Sequence, residues 1–209
     1  MIERIRPIFV VFLAVMLSLV MATDVFSIRG SGGEKKALIK PGASFPEIAL
    51  RTPADKNDRA YLGIPEGRSF TIKDIKAELV LVEIMSVYCG ACRRQAAIYN
   101  KLYALIESTP ETKGRIKIVQ IGIGDIEGDI KAFKEAFKVP SPIVPDTSFD
   151  MHKAIGSSDT PFSIFVRQDS TGKAGVVVKT HLGVEEKYKE LFSEMKSLMK
   201  MDPAAIRKK

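Results

Sequence analysis

Hydrophobic and polar positions along this chain switch between two periods, and the switches mark the elements. Leu79–Met85 is a near-continuous apolar run, rich in β-branched residues and broken only by Glu83. That is the pattern of a central strand buried on both faces. From Arg93 to about Ile106 the apolar residues return at helical spacing, with Ala96, Tyr99, Tyr103 and Ile106 among them. Ile116–Ile123 predicts a second buried strand, closed by Gly122 and Gly124. Asp129–Lys138 predicts an amphipathic helix with Ile130, Phe133 and Phe137 on one face. Pro140, Pro142 and Pro145 then break the chain into short pieces, a strand around Ile143 and a helix over Phe149–Ile155. Phe162–Arg167 and Gly175–His181 predict two strands joined by a hairpin turn at Asp169–Lys173. Val184–Met199 predicts a closing helix with Tyr188, Leu191, Phe192, Met195 and Leu198 facing inward.

Ahead of the first long strand the signals are weaker. Gly42–Leu50 reads as an extended segment and Ala54–Asp58 as a turn. Arg59–Leu62 reads as a second short strand, and Phe70–Ile75 as a strand end running into one helical turn. The order β-α-β, an α insertion, then β-β-α predicts an α/β domain with a mixed sheet. Its first half is parallel and its last strands form an antiparallel hairpin. Gly122-Ile123-Gly124 is no dinucleotide fingerprint, because Glu127 holds the position of the final glycine.

The N-terminus has a different pattern. Arg4 and Arg6 precede an apolar run from Ile8 to Ala22, broken only by Ser18. Residues 1–28 are expected to be a signal peptide cleaved after Ala22, or an uncleaved membrane anchor; the run is short for a full span. Residues 29–40 are rich in Gly and Lys and predict a linker. The domain is expected over 41–201, followed by a basic tail over 202–209. The chain is thus expected to work outside the cytoplasm, free or tethered, where disulfides form and must be managed. The net charge of +7 is spread as lysines over several helices. With no basic–aromatic stripe or nucleic-acid motif, nucleic acid is not an expected partner.

The chemistry sits between the first long strand and its helix, at Tyr88-Cys89-Gly90-Ala91-Cys92. These are the only two cysteines. A C-x-x-C pair at a strand-to-helix junction points to a redox-active disulfide. A helix starting near Cys89 places that thiol at its positive end, beside unpaired N–H groups that stabilise a thiolate. Cys89 is then the attacking thiol and Cys92, one turn inside, the resolving one. Arg93 and Arg94 add positive charge nearby. A four-ligand zinc site lacks ligands, since His152 and His181 are the only histidines and lie far apart. A c-type haem site needs His where Arg93 stands. No metal or cofactor is expected beyond the Cys89–Cys92 couple.

Glu83, on the same strand face as Leu81 and Met85, is an acid in a core strand six residues before Cys89. Burial should raise its pKa, which suits it to take the proton of Cys92; the other reading is an acid that snorkels or pairs with a lysine of the insertion.

The element order with C-x-x-C opening the first helix resembles the thioredoxin fold, and more narrowly the exported TlpA/ResA-like thioredoxins. The resemblance covers roughly Pro41 to Met199. It rests on the cysteine pair, on Thr160-Pro161-Phe162, on the N-terminal extended segment and on the helix-and-strand insertion from Asp129 to Asp146. It implies a central mixed sheet flanked by helices, with an N-terminal β extension and a central αβ insertion. It implies a cis Pro161 beside the cysteines, with Thr160 offering its backbone to a substrate strand. Tyr88 stands where the family usually has Trp, as an aromatic plate against substrate, and Ala91 where Pro is common. The implied activity is thiol–disulfide exchange, run as a reductase. Its implied partners are exported proteins with disulfides, apocytochrome c being typical, and a membrane redox protein as electron donor. Two other functions can be built on such an outline. One is a copper carrier using Cys89, Cys92 and His152. The other is a peroxidase with Ser86 ahead of Cys89.

Overall fold

The computed structural model describes residues 37–168 and 175–206. The expected leader or anchor, most of the linker, the hairpin turn at Asp169–Lys173 and the tail residues 207–209 lie outside the described residues.

A five-stranded sheet runs in the order β5-β4-β3-β6-β7. Its strands are β3 (Leu79–Met85), β4 (Ile116–Ile123), β5 (Ile143–Asp146), β6 (Phe162–Arg167) and β7 (Val176–Leu182). β3, β4 and β5 pair in parallel, whereas β6 and β7 are antiparallel. The parallel pairs need crossovers, which α2 (Gly90–Ser108) and α3 (Glu127–Phe137) supply. All seven residues of β3 are buried. Its even-numbered residues pack with α1 (Lys56–Leu62) and α4 (Asp150–Ala154). Leu79 and Leu81 pack with α2 and α5 (Tyr188–Met199), and Met85 packs against α2 and α3. Each large apolar side chain so enclosed contributes about 1.5–3 kcal/mol.

The N-terminal extension covers one edge of this sheet. Gly42 N–H donates to Val177 O at 2.8 Å and Phe45 N–H to Gly175 O at 2.8 Å, so the outer side of β7 is paired. Further on, β1 (Leu50–Arg51) pairs antiparallel with β2 (Ser69–Phe70). A single 3-10 turn, Ile72–Asp74, comes next. At the other edge, β5 pairs only with the second half of β4. The Tyr61 hydroxyl accepts from Ile118 N–H at 2.9 Å and covers part of the strand that β5 leaves open.

Several boundaries differ from those expected of the sequence; the closing helix, for one, begins at Tyr188 rather than Val184. Arg59–Leu62 is not a strand but the end of helix α1. Asp55 caps that helix by accepting from Asn57 N–H, and Gly63 ends it in the left-handed conformation. Leu38 and Ile39, expected in the linker, pack against the core, and Ile39 N–H donates to Ile155 O. The packed domain therefore begins before Pro41. In the basic tail, Pro203–Ile206 forms one further helical turn, α6.

Candidate active site

Met85 ends β3 and the chain turns through Ser86–Tyr88 into α2. Cys89 is the N-cap of that helix, and its Sγ accepts from Cys92 N–H at 3.1 Å. The sulfur thus replaces one of the missing acceptors at the helix start. Both cysteines are free thiols; Cys89 is half-buried and Cys92 buried. Burial raises the Cys89 thiol, but hydrogen bonding with Cys92, with the side chain of Thr160 and with the N–H groups of Cys92 and Ala91 outweighs it, leaving Cys89 below the ordinary thiol value. Cys92 goes the other way. Burial, then the hydrogen bond with Cys89, push it up to about 12. The two thiols are therefore unequal, one prepared to attack and one held protonated. Arg93 turns back to donate to Val87 O, so the main influences lowering Cys89 are hydrogen bonds.

Thr160 and Pro161 come to the pair from the start of β6, the strand next to β3. Their peptide bond is cis, and the Cys89 thiol donates to Thr160 O at 3.5 Å. Tyr88 is the most exposed large apolar side chain near the pair, and its hydroxyl donates to Asp129 Oδ2 on α3 at 2.7 Å. Glu83 lies two residues before the end of β3 and is fully enclosed. Burial first, and then the nearby charge of Cys89, raise its carboxyl to about 8.

Sequence reasoning missed Asp125. It sits just past β4, beside the end of β3, because the two strands are adjacent and parallel. Its Oδ2 accepts from Val87 N–H at 2.9 Å and its Oδ1 from the Ser86 hydroxyl at 3.1 Å. This clamp holds the segment leading into Cys89. Gly122 makes room for it, since a Cβ there would stand 2.7 Å from Asp125 Oδ2. Asp125→Ala leaves the buried Val87 N–H without its partner. A loss of about 1–3 kcal/mol in urea denaturation is expected. An unchanged midpoint would show that the clamp is not needed.

The copper and peroxidase chemistries find less support. Ser86 serves the Asp125 clamp and receives Tyr88 N–H. His152 Nε2 is hydrogen-bonded to Ser158 O at 2.8 Å. Among the described residues, no three His, Cys, Asp or Glu side chains gather closely enough to hold a metal ion. A groove of about 470 Å³ lies elsewhere, between Arg51–Asp55 and α3, and none of the site residues lines it. Exchange with a protein disulfide needs an accessible sulfur on an exposed surface rather than a cavity. Four large apolar side chains stand exposed at the cysteine end of the sheet. Tyr88, Ile126 and Phe149 come after β3, β4 and β5, and Leu182 pairs with Phe162 next to Pro161.

No protein-family model matches the chain. It is similar to the thiol-disulfide oxidoreductase ResA of Geobacillus thermodenitrificans, with 22% identity over 78% of this chain and 83% of that one. It is also similar to the ResA of Halalkalibacterium halodurans, with 24% identity over 72% of this chain and 81% of that one. Among solved structures, StoA from Bacillus subtilis superposes with a TM-score of 0.51 and 18% identity, over 72% of this chain and 97% of that one. The thioredoxin domain of a thiol-disulfide oxidoreductase from Bacteroides vulgatus gives 0.56 and 19%, over 75% and 99%. The fold is thioredoxin-like, with a mixed sheet between two layers of helices.

Proposed function

We propose that this ResA-like, thioredoxin-fold thiol–disulfide oxidoreductase works outside the cytoplasm as a reductase of disulfides in other exported proteins. The inequality of the two thiols carries the reading: Cys89 lowered and reachable, Cys92 buried and raised.

The Cys89 thiolate attacks one sulfur of the client disulfide. That S–S bond breaks, its electron pair leaves on the other client sulfur, and a mixed disulfide with Cys89 remains. Cys92 then gives its proton to the Glu83 carboxylate and attacks Cys89 Sγ. The Cys89–client bond breaks, the client leaves as a dithiol, and the Cys89–Cys92 disulfide holds the oxidation. Two electrons have passed to the client. A membrane redox partner restores the dithiol by the reverse exchange. Thr160 and Pro161 border the attacking sulfur and position the client backbone. Tyr88, with the exposed apolar side chains beside it, covers the client segment next to its cysteine. The basic and apolar N-terminus supports export, with or without a tether.

The reduction potential of the Cys89–Cys92 couple tests the direction. Equilibration in glutathione or dithiothreitol buffers should give a value near or below roughly −270 mV, the thioredoxin level. A value close to roughly −120 mV, that of a strong oxidant, would overturn the reductase assignment.

A further inference from the structure

One row of the sheet is polar where its neighbours are apolar. The register places Gln120 on β4 beside Glu83 on β3, Glu83 beside Ser163 on β6, and Ser163 beside His181 on β7. All four belong to the sheet face covered by α2. On one side of the row lies the cluster of Leu79, Leu81, Ile118 and Phe165, and on the other the cluster of Met85 and Cys92. Directly opposed side chains on neighbouring strands stand roughly 5 Å apart at Cβ, within reach of a glutamate carboxyl. Across the row, the Tyr99 hydroxyl is hydrogen-bonded to Ser163 Oγ at 2.6 Å. One turn earlier on α2, Gln95 Oε1 accepts from Glu185 N–H at 2.7 Å. Among the described residues, Gln95 Nε2 and His181 Nε2 are buried without a hydrogen-bond partner.

His181 closes the row at the surface. Its Nε2 is enclosed, yet a third of its side chain is exposed, and its Nδ1 lies 4.0 Å from Glu185 Oε2. The ring bridges interior and solvent. Imidazole has two ring nitrogens, so it can accept a proton at one while releasing one from the other. Lys179, on the same face of β7, is paired with Glu194 of α5 and does not compete for Glu185.

We infer that this row is the route by which Glu83 returns its proton to solvent, through the Tyr99–Ser163 hydroxyl pair to His181 at the β7 edge. The inference rests on Glu83 acting as the base for Cys92. In the mixed disulfide the client covers the mouth above Cys89, so a proton held by Glu83 leaves sideways, and it must leave before Glu83 can accept the proton of Cys92. The proton passes from the Glu83 carboxyl to the hydroxyl pair, on to the imidazole and out to water. Glu83 is again a carboxylate, and no electron moves in this step. His181, Ser163 and Tyr99 are positioning residues, since none touches the reacting sulfurs.

The test is stopped-flow release of a fluorescent peptide thiol from its mixed disulfide with Cys89. The variants are His181→Ala, Tyr99→Phe and Glu83→Gln, and His181→Ala is also made in the Glu83→Gln background. His181→Ala should slow release roughly tenfold at neutral pH, below the 10²–10⁴ typical of a direct acid–base group. Added imidazole should restore it, and Tyr99→Phe should slow release without rescue. In the Glu83→Gln background, His181→Ala should add nothing. Normal release in His181→Ala while Glu83→Gln is slow would overturn the route and leave the base in place. An equal slowing by His181→Ala with and without Glu83 would also overturn it, as a structural effect. Normal release in Glu83→Gln would overturn the base itself, and the route with it.

Discussion

Cys92→Ser should turn the protein into a covalent trap. The first attack needs only Cys89, whose hydrogen bonds from the Cys92 and Ala91 N–H groups survive the change. The second attack has no sulfur left to make it. Turnover of a protein disulfide is lost, while an adduct of protein plus client accumulates and is released by dithiothreitol. Intact-mass spectrometry under non-reducing conditions reads the adduct directly. Cys89→Ser should lose turnover and form no adduct, because the remaining thiol is buried and raised to about 12. Adducts of equal yield on both variants would refute the assignment of attacking and resolving thiols.

Glu83→Gln carries the second large effect, and it has two signs. The carboxyl is raised from 4.5 to about 8, first by burial and then by the charge of Cys89. In the wild type, resolution should quicken as pH rises through about 8, because the carboxylate form accepts the proton of Cys92. Glutamine cannot accept it, so resolution should fall by roughly 10² at neutral pH and lose that rise. Stability moves oppositely. Below about 4.5 the acid is protonated in both folded and unfolded chains, and burial of the neutral form carries no charge penalty. Between 4.5 and about 8 the unfolded chain releases its proton while the folded one keeps it, so stability is lost across that window. At pH 9 Glu83→Gln should therefore be more stable than the wild type by on the order of a few kcal/mol, with little difference at pH 4. Denaturation at the two pH values checks the sign. A variant no more stable at pH 9 would mean that the folded chain ionises Glu83 without penalty. A buried acid that weakens the fold at working pH is a cost that activity can explain.

The legible parts of this molecule are those where local signals agree. β3 and β4 appear at their full extent because burial on both faces leaves near-unbroken apolar runs. The helix that carries the cysteines, the insertion helix and the closing helix show their amphipathic spacing. The Arg59–Leu62 segment misled because Ala60-Tyr61-Leu62 is short and apolar, and the Asp55 and Gly63 caps outweigh that local pattern. Asp125 could have been noticed as an acid just past Gly122 and Gly124, at the end of a buried strand. In the sequence His181 reads only as a strand-edge residue or a stray metal ligand, because a lone histidine near a strand end looks like a surface residue.

Spacing and periodicity were enough to place the cysteine pair at a strand-to-helix junction, to order the α and β elements and to set an acid within a core strand. Those properties are local, so the amino-acid chain carries them in short segments. Tertiary structure decided what surrounds the sulfur. It brought Thr160 to Cys89 across 71 positions of chain and Asp125 to Val87 across 38. It also aligned Glu83, Ser163 and His181 in one row. Strand order and register set these meetings, and both are chosen by the packing of the whole core, which no single segment encodes.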